Sequence, residues 1–566
     1  MTLTGWLQAA FVFAMLLALT KPLGSYMFAI FTGKRTLLSP VLAPVEGAIY
    51  RLGGVRADDD MSWQRYTFAM LAFSLVSFFY LFVLLLVQGW LPLNPQHFPN
   101  LSPGLAWNTA VSFLTNTNWQ FYSGESTLSY LSQMAGLAWH NFVSAGVGIA
   151  IAIAIVRGIT AKGVSTLGNF WVDLTRACLY ILLPISTLLA IVYIWQGVPQ
   201  NFTPYRTITT IGGTKQRITG GPMASQEAIK NVGTNGGGFV NANSASPNEN
   251  PTPLTNVLEI LSILLIGAGL TYTYGKMAGD VGQGWALFAA MSVLFIVGFA
   301  VMYHAEAAGN PLMHHLGVGG GNMEGKESRF GIAGSALFDE ASTATSCGAV
   351  NAMLDSFMPL GGLVAMVNLQ LGEVVFGGVG SGLYGMLEFV VLTVFIAGLM
   401  VGRTPELLGK KIERREVQLA LLAFLVTPLM VLLPTAIAVL IPAGTATLGN
   451  SGPHGFSEIL YAFTSSNANN GSAFAGLGDN RFYNIATGVA MFFGRFFMAI
   501  PLLALAGSLA EKKAAAAGGG TFSTSSTTFV LLLIGTILIV GALTFLPVDA
   551  LGPIADHYLL HSGRTF

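Results

Sequence analysis

Charged residues and cysteines are scarce in this chain of 566 residues. Asp, Glu, Lys and Arg together make up 9% of it, whereas soluble domains contain roughly 25%. The only two cysteines, Cys178 and Cys347, have no partner at a metal-ligand spacing. Neither a disulfide framework nor a zinc site is therefore expected. The formal net charge is zero, so the balance of charge gives no support for a nucleic-acid partner.

Long apolar runs take the place of the missing charge. Hydrophobic residues make up 53% of the chain, and runs of about 20 residues are long enough to cross the hydrocarbon core of a bilayer. We therefore predict an all-α integral membrane protein with ten spans. They cover roughly residues 4–23, 66–89, 135–156, 174–195, 255–274, 284–304, 384–402, 417–440, 485–508 and 527–547.

The basic residues indicate an orientation. With the N-terminus outside, 17 of the 26 Lys and Arg residues fall in or beside the inner loops, 8 fall outside, and Arg495 lies within the ninth span. Inner loops of membrane proteins carry the excess of Lys and Arg. The sequence thus favours a membrane protein with its N-terminus outside.

Four short polar segments, which we call strips 1 to 4, each follow a short apolar segment. Their last residues lie 118, 112 and 123 positions apart, which suggests one structural unit used four times. The strips are Thr115-Asn116-Thr117-Asn118, Gly233-Thr234-Asn235-Gly236, Thr345-Ser346-Cys347-Gly348 and Ala468-Asn469-Asn470-Gly471.

The segments before the strips are too short to span a membrane and are typical of re-entrant helices. Non-helical backbone at membrane depth is tolerated where it is buried or lines a wet cavity. We therefore predict four helix–pore-loop–helix repeats around a pseudo-fourfold pore, plus two extra helices. The predicted units are residues 1–60 (first span and inner loop), 61–160, 161–280, 281–410 and 411–510 (the repeats), and 511–566 (linker and last span). The short segments are Leu105–Leu114, Ser225–Val232, Ser335–Ala344 and Phe456–Ser466.

The strips have the chemistry of a monovalent-cation filter. Glycine lets successive carbonyls face one side, and no strip contains a carboxylate, which disfavours a calcium-type cage. Backbone carbonyls can replace the hydration shell of K⁺ or Na⁺. The alternative is that the strips are only glycine-rich turns that cap helices, which becomes improbable for four such segments in register.

Longer motifs resemble the A subunit of the bacterial Kdp potassium-transporting ATPase, over essentially the whole chain. This resemblance implies a K⁺-binding component of an ATP-driven importer. Its expected partners in the inner membrane are the P-type ATPase B subunit, the accessory C subunit, and the small one-helix F subunit. The motifs are NTNWQ with SGE (residues 116–125), SQEAIKNVGTNGGGFVNAN (225–243), NMEGKESRFG (322–331), TSCGAV (345–350), GEVVFGGVGSGLYGM (372–386), GRTPE with GKKI (402–412) and GPHGFSEILYA (452–462).

The resemblance also implies roles for particular residues. The filter glycines fall on Gly236, Gly348 and Gly471, and Asn118 stands in the place of the first. Gln120 matches a filter-adjacent glutamine, whereas Ala468 stands where a further polar residue is expected. The expected K⁺ filter is Asn116, Thr117, Asn118, Thr234, Asn235, Gly236, Ser346, Cys347, Gly348, Asn469, Asn470 and Gly471.

A glycine-rich segment interrupts the third repeat at Gly377, Gly378, Gly380 and Gly382. From its residues alone it is a turn between two half-helices, whereas the resemblance implies a constriction below the filter that diverts ions sideways to the pump subunit. Glu373, just before it, either attracts the ion or caps a half-helix.

Three further ionisable residues lie in apolar surroundings. Arg495 within the ninth span and Lys230 on the second re-entrant segment are expected near the pore, since intramembrane charges usually face cavities. Arg495 could instead extend toward the interface. Glu388 in the seventh span has no assigned role.

No catalytic centre is expected in this chain. Residues 320–326 fit G-x-x-x-x-G-K, but Glu327 replaces the required Ser or Thr and no strand precedes the motif. An Asp-Lys-Thr-Gly phosphorylation motif is missing as well. The sequence therefore predicts K⁺ as the bound substrate, without nucleotide or metal cofactor. The alternative is a stand-alone K⁺ channel or an ion-coupled symporter of the same architecture.

Overall fold

The computed structural model of the chain describes residues 1–400, 402, 404–474, 477–514 and 523–564. Within these ranges almost all regular structure is helical, and ten helices are long and apolar enough to cross a membrane. The prediction of an all-α membrane protein with ten spans is thus confirmed. Most of the predicted linker before the last span, residues 515–522, lies outside the described residues.

Ten long helices form the body of the molecule. Three of them contain π-helical turns, at residues 132–138, 177–182 and 550–554. They are α1 (Leu3–Phe31), α3 (Trp63–Val87), α5 (Ser132–Thr160), α6 (Phe170–Gln196), α8 (Pro253–Ala278), α9 (Val281–Ala308), α12 (Ser381–Met400), α13 (Arg414–Leu440), α15 (Arg481–Glu511) and α16 (Thr527–His561).

Shorter elements lie between the long helices. Four pore helices precede the strips: α4 (Pro103–Leu114), α7 (Met223–Val232), α10 (Gly331–Ala344) and α14 (Gly452–Ala468). Two others are α2 (Ser39–Gly53) and α11 (Pro359–Gln370). Antiparallel pairs join β1 (Arg206–Thr209) to β2 (Lys215–Ile218) and β3 (Glu406–Leu407) to β4 (Lys410–Lys411). Single helical turns occur at Gln88–Trp90, Gly124–Thr127, Asn243–Ala245, Pro311–His315, Leu354–Ser356 and Pro442–Thr445.

Burial separates inner from outer helices. In the most apolar 18 residues of α5, 89% of positions are buried, and the share is 78% in α8 and α12. The same measure is 22% in α1 and α13 and 28% in α16. Helices that are apolar all round occur both in protein cores and against lipid. Here α5, α8 and α12 form the core, and α1, α13 and α16 face outward.

Local sequence sets where a pore helix begins and ends. The Ser102 hydroxyl accepts a hydrogen bond from Leu105 N at the start of α4, where Pro103 occupies the first turn. Proline is tolerated there because that N–H would lack a helical partner anyway. At its other end, α14 stops where Asn469 adopts a left-handed conformation, which asparagine tolerates better than most residues. Each pore helix therefore ends directly at its strip.

Candidate ion filter and its support

The first three strips contact one another in chain order. Asn116 Nδ2 of strip 1 donates to the Gly233 and Thr234 carbonyls of strip 2, at 3.2 and 3.0 Å. Strip 2 meets strip 3 so closely that a Cβ added to Gly236 would collide with the backbone of Gly348. A side chain at Gly236 is therefore excluded unless the two strips separate.

Strip 4 closes the ring. The Ser346 hydroxyl donates to the Asn469 carbonyl at 2.8 Å, which joins strip 3 to strip 4. Asn469 Nδ2 in turn donates to the Thr117 hydroxyl of strip 1 at 3.0 Å. A Cβ on Gly471 would collide with the Thr117 carbonyl. The four strips thus form a closed ring in the order 1, 2, 3, 4.

The remaining expected filter residues are buried in or behind this ring. Cys347 is fully buried in strip 3. The Asn235 side chain contacts Asn116 and Ser144, and Asn470 Nδ2 donates to the carbonyls of Ser342 and Thr345. The Asn235 side chain thus links strip 2 to strip 1, and the Asn470 side chain links strip 4 to strip 3.

The ring is built from left-handed backbone. Asn118 has a φ of 56°, which is positive like the φ of Gly236 (87°) and Gly471 (99°) at the corresponding places, so asparagine adopts a left-handed conformation where two other strips use glycine. Thr234, which is β-branched, has φ 46°, a conformation that costs energy and occurs where surrounding structure enforces it. Within the four strips, the residues with positive φ are Asn116, Asn118, Thr234, Gly236, Asn469 and Gly471.

A cavity of about 690 Å³ opens above the ring. One residue of each strip lines it: Asn118, Gly236, Gly348 and Gly471. Gln120 lines it as well, and its Nε2 donates to the Tyr122 hydroxyl and the Gly238 carbonyl at 3.1 Å each. Gln120 therefore fastens the segment after strip 1 to the segment after strip 2 at the cavity wall.

A buried charged group supports strip 2 from behind. Lys230 Nζ lies 2.7 Å from Glu227 and 2.5 Å from Glu249, and all three side chains are essentially inaccessible. Lys230 Nζ also donates to Asn243 Oδ1 at 2.7 Å, and Asn243 Nδ2 donates to the Gly236 carbonyl at 2.6 Å. A continuous chain of polar contacts thus runs from the ion pair to the strip. The sequence predicts a role near the pore for Lys230, but it does not predict the supporting roles of Asn243 and Glu249, which lie beyond the strip itself.

The glycine-rich segment lies against the ring on the side away from the cavity. The chain is non-helical from residue 371 to 380, between α11 and α12. Val379 N donates to the Thr234 hydroxyl at 2.9 Å, and Asn470 Nδ2 donates to the Glu373 carboxylate at 2.8 Å. A Cβ on Gly378 would lie 2.5 Å from Ser346 Cβ. The segment therefore touches strips 2, 3 and 4, and the Glu373 carboxylate contacts strip 4.

Close packing explains the other glycines of this segment. Gly380 has φ 105°, and a Cβ there would collide with the Gly148 carbonyl of α5. Gly377 and Gly382 pack directly against each other. The segment is thus wedged between the ring and α5.

Arg495 is buried beside the same segment. Its Nη2 donates to the Ser144 carbonyl of α5 at 3.1 Å. The guanidinium also lies close to Gly148, because a Cβ added to that glycine would be 3.1 Å from Nη2. With 4% of its surface accessible, the side chain points inward and does not extend to the interface. Glu388 on α12 is also buried, and nothing in its surroundings suggests a role.

The lysine of the G-x-x-x-x-G-K segment is engaged elsewhere. Lys326 Nζ lies 2.8 Å from the Glu306 carboxylate, with both side chains inaccessible, and also lies over the Phe357 ring. Asn322 Nδ2 donates to the same carboxylate at 2.8 Å. This lysine fastens the loop before α10 to the end of α9.

A histidine joins three elements near the pore helix α14. His454 Nε2 lies 3.0 Å from Asp355 and Nδ1 lies 2.9 Å from Asp556. Burial lowers the pKa of His454, but the hydrogen bonds to Asp355 and Asp556 outweigh it and raise the pKa to about 10. Glu458 comes close enough for a metal-ligand group with His454 and Asp355, which sequence spacing did not show. Both ring nitrogens are occupied by the aspartates, so the arrangement is that of an ion-paired clasp.

Comparison with known proteins identifies one family over almost the whole chain. The sequence profile described as "Potassium-transporting ATPase A subunit" matches residues 10–558. The chain belongs to that family. Sequence analysis had identified the same family from its motifs, and that identification is confirmed.

Relatives in this family match from end to end. The "Potassium-transporting ATPase potassium-binding subunit" of Methylorubrum extorquens is 58% identical, over 100% of this chain and 99% of the relative. The protein of the same name from Solibacter usitatus is also 58% identical, over 100% of both. The potassium transporter TrkH from Vibrio parahaemolyticus has a similar fold, with a TM-score of 0.50 and 17% identity over 88% of this chain and 95% of TrkH.

Proposed function

We propose that this chain is the potassium-binding and translocating subunit of an ATP-driven K⁺ importer. The observation that carries the proposal is the closed ring of four strips with a water-accessible cavity above it. In such a ring, carbonyl oxygens replace the water shell of the ion. The C-terminal ends of the four pore helices carry partial negative charge toward the strips, which favours a cation. The name of its relatives, potassium-binding subunit, supports K⁺ as that ion.

The direction and the route of transport follow from the same proposal. With the N-terminus outside, the cavity faces the exterior and K⁺ enters the ring from there. The glycine-rich segment at residues 371–380 lies below the ring and obstructs the straight path, so the ion continues sideways within the membrane. It is delivered to the P-type ATPase B subunit, while the C and F subunits complete the complex in the bacterial inner membrane. ATP hydrolysis belongs to the B subunit, and this chain contributes no catalytic group.

A stand-alone K⁺ channel or symporter is the second candidate, favoured by the fold likeness to TrkH. The two candidates differ in the need for a partner. The purified chain alone in liposomes should not carry sustained K⁺ flux, whereas the complex with the ATPase subunit should do so when ATP is supplied. Sustained flux through the chain alone would reject the pump-subunit proposal.

Gly236→Asp tests the ring itself. The new side chain would collide with the backbone of Gly348 and add a carboxylate that attracts divalent and small monovalent ions. We expect the K⁺ concentration for half-maximal uptake to rise about 10- to 100-fold, corresponding to about 1.4–2.8 kcal/mol, with poorer discrimination against Rb⁺ and Na⁺.

Gly212→Asp is the matched control, because it adds the same side chain in open space on the β1–β2 hairpin. Uptake by this variant should equal that of the unaltered complex. Unchanged K⁺ affinity and selectivity in an assembled Gly236→Asp complex would remove Gly236 from the ion site.

A further inference from the structure

A cationic cavity lies at one end of α1, far from the ring. It has a volume of about 550 Å³ and is lined by α2, the end of α1 and the start of α6. Lys34 and Arg35 line it with exposed side chains, together with the hydroxyl-bearing residues Thr36 and Ser39. The cavity therefore offers two exposed cations and two hydroxyl groups at a single place.

A third cation lies beside this cavity. Lys34 Nζ is 5.0 Å from the centroid of the Phe28 ring, and Lys276 Nζ of α8 is 5.4 Å from the same centroid. Two ammonium groups on one ring repel each other, and the ring offsets only part of that repulsion. Among the described residues, no carboxylate lies within 4.0 Å of Lys34, Arg35 or Lys276. The positive charge of this cluster has no internal counter-ion.

The nearest acidic side chain in the cavity is already engaged. Glu46 of α2 accepts hydrogen bonds from Arg176 at 2.8 Å, from Tyr50 at 2.8 Å and from Tyr180 at 2.7 Å. Burial alone would raise the pKa of Glu46, but these hydrogen bonds lower it. Glu46 is therefore engaged by Arg176 and does not balance the positive charge of Lys34, Arg35 and Lys276.

Helix α2 has the form of an interfacial helix. Its exposed apolar residues Val41, Val45, Ile49 and Leu52 recur every three or four positions and form one stripe, while Glu46 is buried on the opposite face. A helix of this kind lies in the plane of the membrane interface, with its apolar face among the lipid chains. The stripe and the cationic cavity thus lie at the depth where acyl chains meet headgroups.

We propose that this cavity binds the headgroup of one anionic phospholipid. The phosphate lies between Lys34 and Arg35 with Lys276 close by, and the acyl chains lie along the stripe of α2. Clusters of Lys and Arg next to a membrane helix attract anionic headgroups in this way. The site is separate from K⁺ handling, so its failure would leave the proposed transport function intact.

Native mass spectrometry of the purified complex tests this site, with phosphatidylglycerol and phosphatidylcholine supplied as an equal mixture. The unaltered complex should retain phosphatidylglycerol selectively. Each cation removed weakens headgroup binding about fivefold, so Lys34→Gln with Arg35→Gln should weaken it roughly 30-fold. Lys34→Arg, which keeps the charge, should retain binding.

Arg56→Gln with Lys162→Gln is the control, because both residues are exposed cations outside the cavity lining. It should bind phosphatidylglycerol as the unaltered complex does. Equal retention of both lipids, or equal loss in the control and the test variant, would overturn the proposal. Displacement of the lipid by millimolar inorganic phosphate would also overturn it, since the site would then be a phosphate site without a lipid component.

Discussion

At the scale of single residues, the ring depends on asparagines that adopt a left-handed backbone conformation and bond through their side chains to a neighbouring strip. Asn116 and Asn469 adopt left-handed conformations, and their amides bond to the next strip along the ring. Asparagine thus supplies both a backbone conformation and a cross-link, whereas glycine supplies only the first. Gly348 has neither a side-chain cross-link nor a positive φ. Glycine is needed there because a Cβ would collide with the backbone of Gly471.

Asn243→Ala tests the support behind strip 2. The substitution removes the hydrogen bond to the Gly236 carbonyl and leaves Lys230 without one acceptor. Losing one partner of a buried polar pair costs about 1–3 kcal/mol. We therefore expect the K⁺ concentration for half-maximal ATPase stimulation to rise about 5- to 100-fold while the maximal rate changes little.

Asn248→Ala is the matched control in the same loop, because its side chain bonds to Thr219 and does not reach the strip. It should leave K⁺ stimulation unchanged. Equal effects of the two substitutions would mean that the loop matters only for folding.

The sequence identified the strips but not what fixes them. Polar residues between apolar runs are visible in a single sequence, so Asn116, Gly236 and Asn470 could be named. The side chains behind them, such as Glu249 and Asn243, lie in loops with no periodicity, and nothing local predicts their contacts. The role of Lys326 was equally hidden, since this loop residue pairs with Glu306, which lies 20 positions earlier on α9.

At the scale of elements, the interrupted helix of the third repeat sets this repeat apart. Its non-helical stretch inserts between the ring and α5. The Val379 N–H, which a helix would satisfy internally, donates to strip 2 instead, and the Glu373 carboxylate accepts from strip 4. Irregular backbone at this depth is tolerated because it is enclosed by protein. The segment can thus act directly on the ring.

Gly378→Ala tests this contact. A methyl group there would lie 2.5 Å from Ser346 Cβ, so either the segment or strip 3 must shift. Overpacking of this kind typically costs about 1–3 kcal/mol. We expect K⁺ uptake to fall about fivefold or more while the complex still assembles, as measured by uptake of K⁺ into proteoliposomes.

Gly535→Ala provides the comparison, because it adds the same methyl group to α16 with no atom within 4 Å. It should leave uptake unaltered. A Gly378→Ala complex that transports at the normal rate would show that the segment does not obstruct the path.

The elements themselves were largely predictable. Length and apolarity identified all ten spans, and the short apolar segments before the strips correspond to α4, α7, α10 and α14. The β1–β2 hairpin and the short helix α2 were missed. The two strands are too short, and the composition of α2 too varied, for either element to be recognised from the sequence alone.

At the scale of the whole molecule, the last helix is tied to the fourth pore helix. His454 at the start of α14 bridges Asp355, which follows strip 3, and Asp556 near the end of α16. Each aspartate is about 100 positions from the histidine along the chain. The clasp therefore joins one of the two helices outside the repeats to the pore region.

This clasp predicts a dependence of stability on pH. The pKa of His454 is raised from 6.5 to about 10 in the folded protein, so its contribution is fully present below pH 6.5 and is lost as the pH rises toward 10. The apparent Tm of the solubilised complex should fall between pH 6.5 and pH 10, by about 1 °C for each kcal/mol lost, because the entropy of unfolding grows with chain length.

His454→Gln should lower Tm at pH 6.5 and reduce its dependence on pH over that interval. The exposed His315→Gln variant should behave as the unaltered protein. A pH profile of His454→Gln that parallels the unaltered one would assign the dependence to other groups.

A ring assembled within one polypeptide differs genetically from a ring of four identical subunits. In a homotetramer one substitution alters all four corners at once, whereas here it alters a single corner and leaves the other three as they were. Asn118 opposite three glycines is the visible result. Under the proposed function, selection can therefore adjust ion affinity one corner at a time, and a damaging change at one corner can be compensated at another.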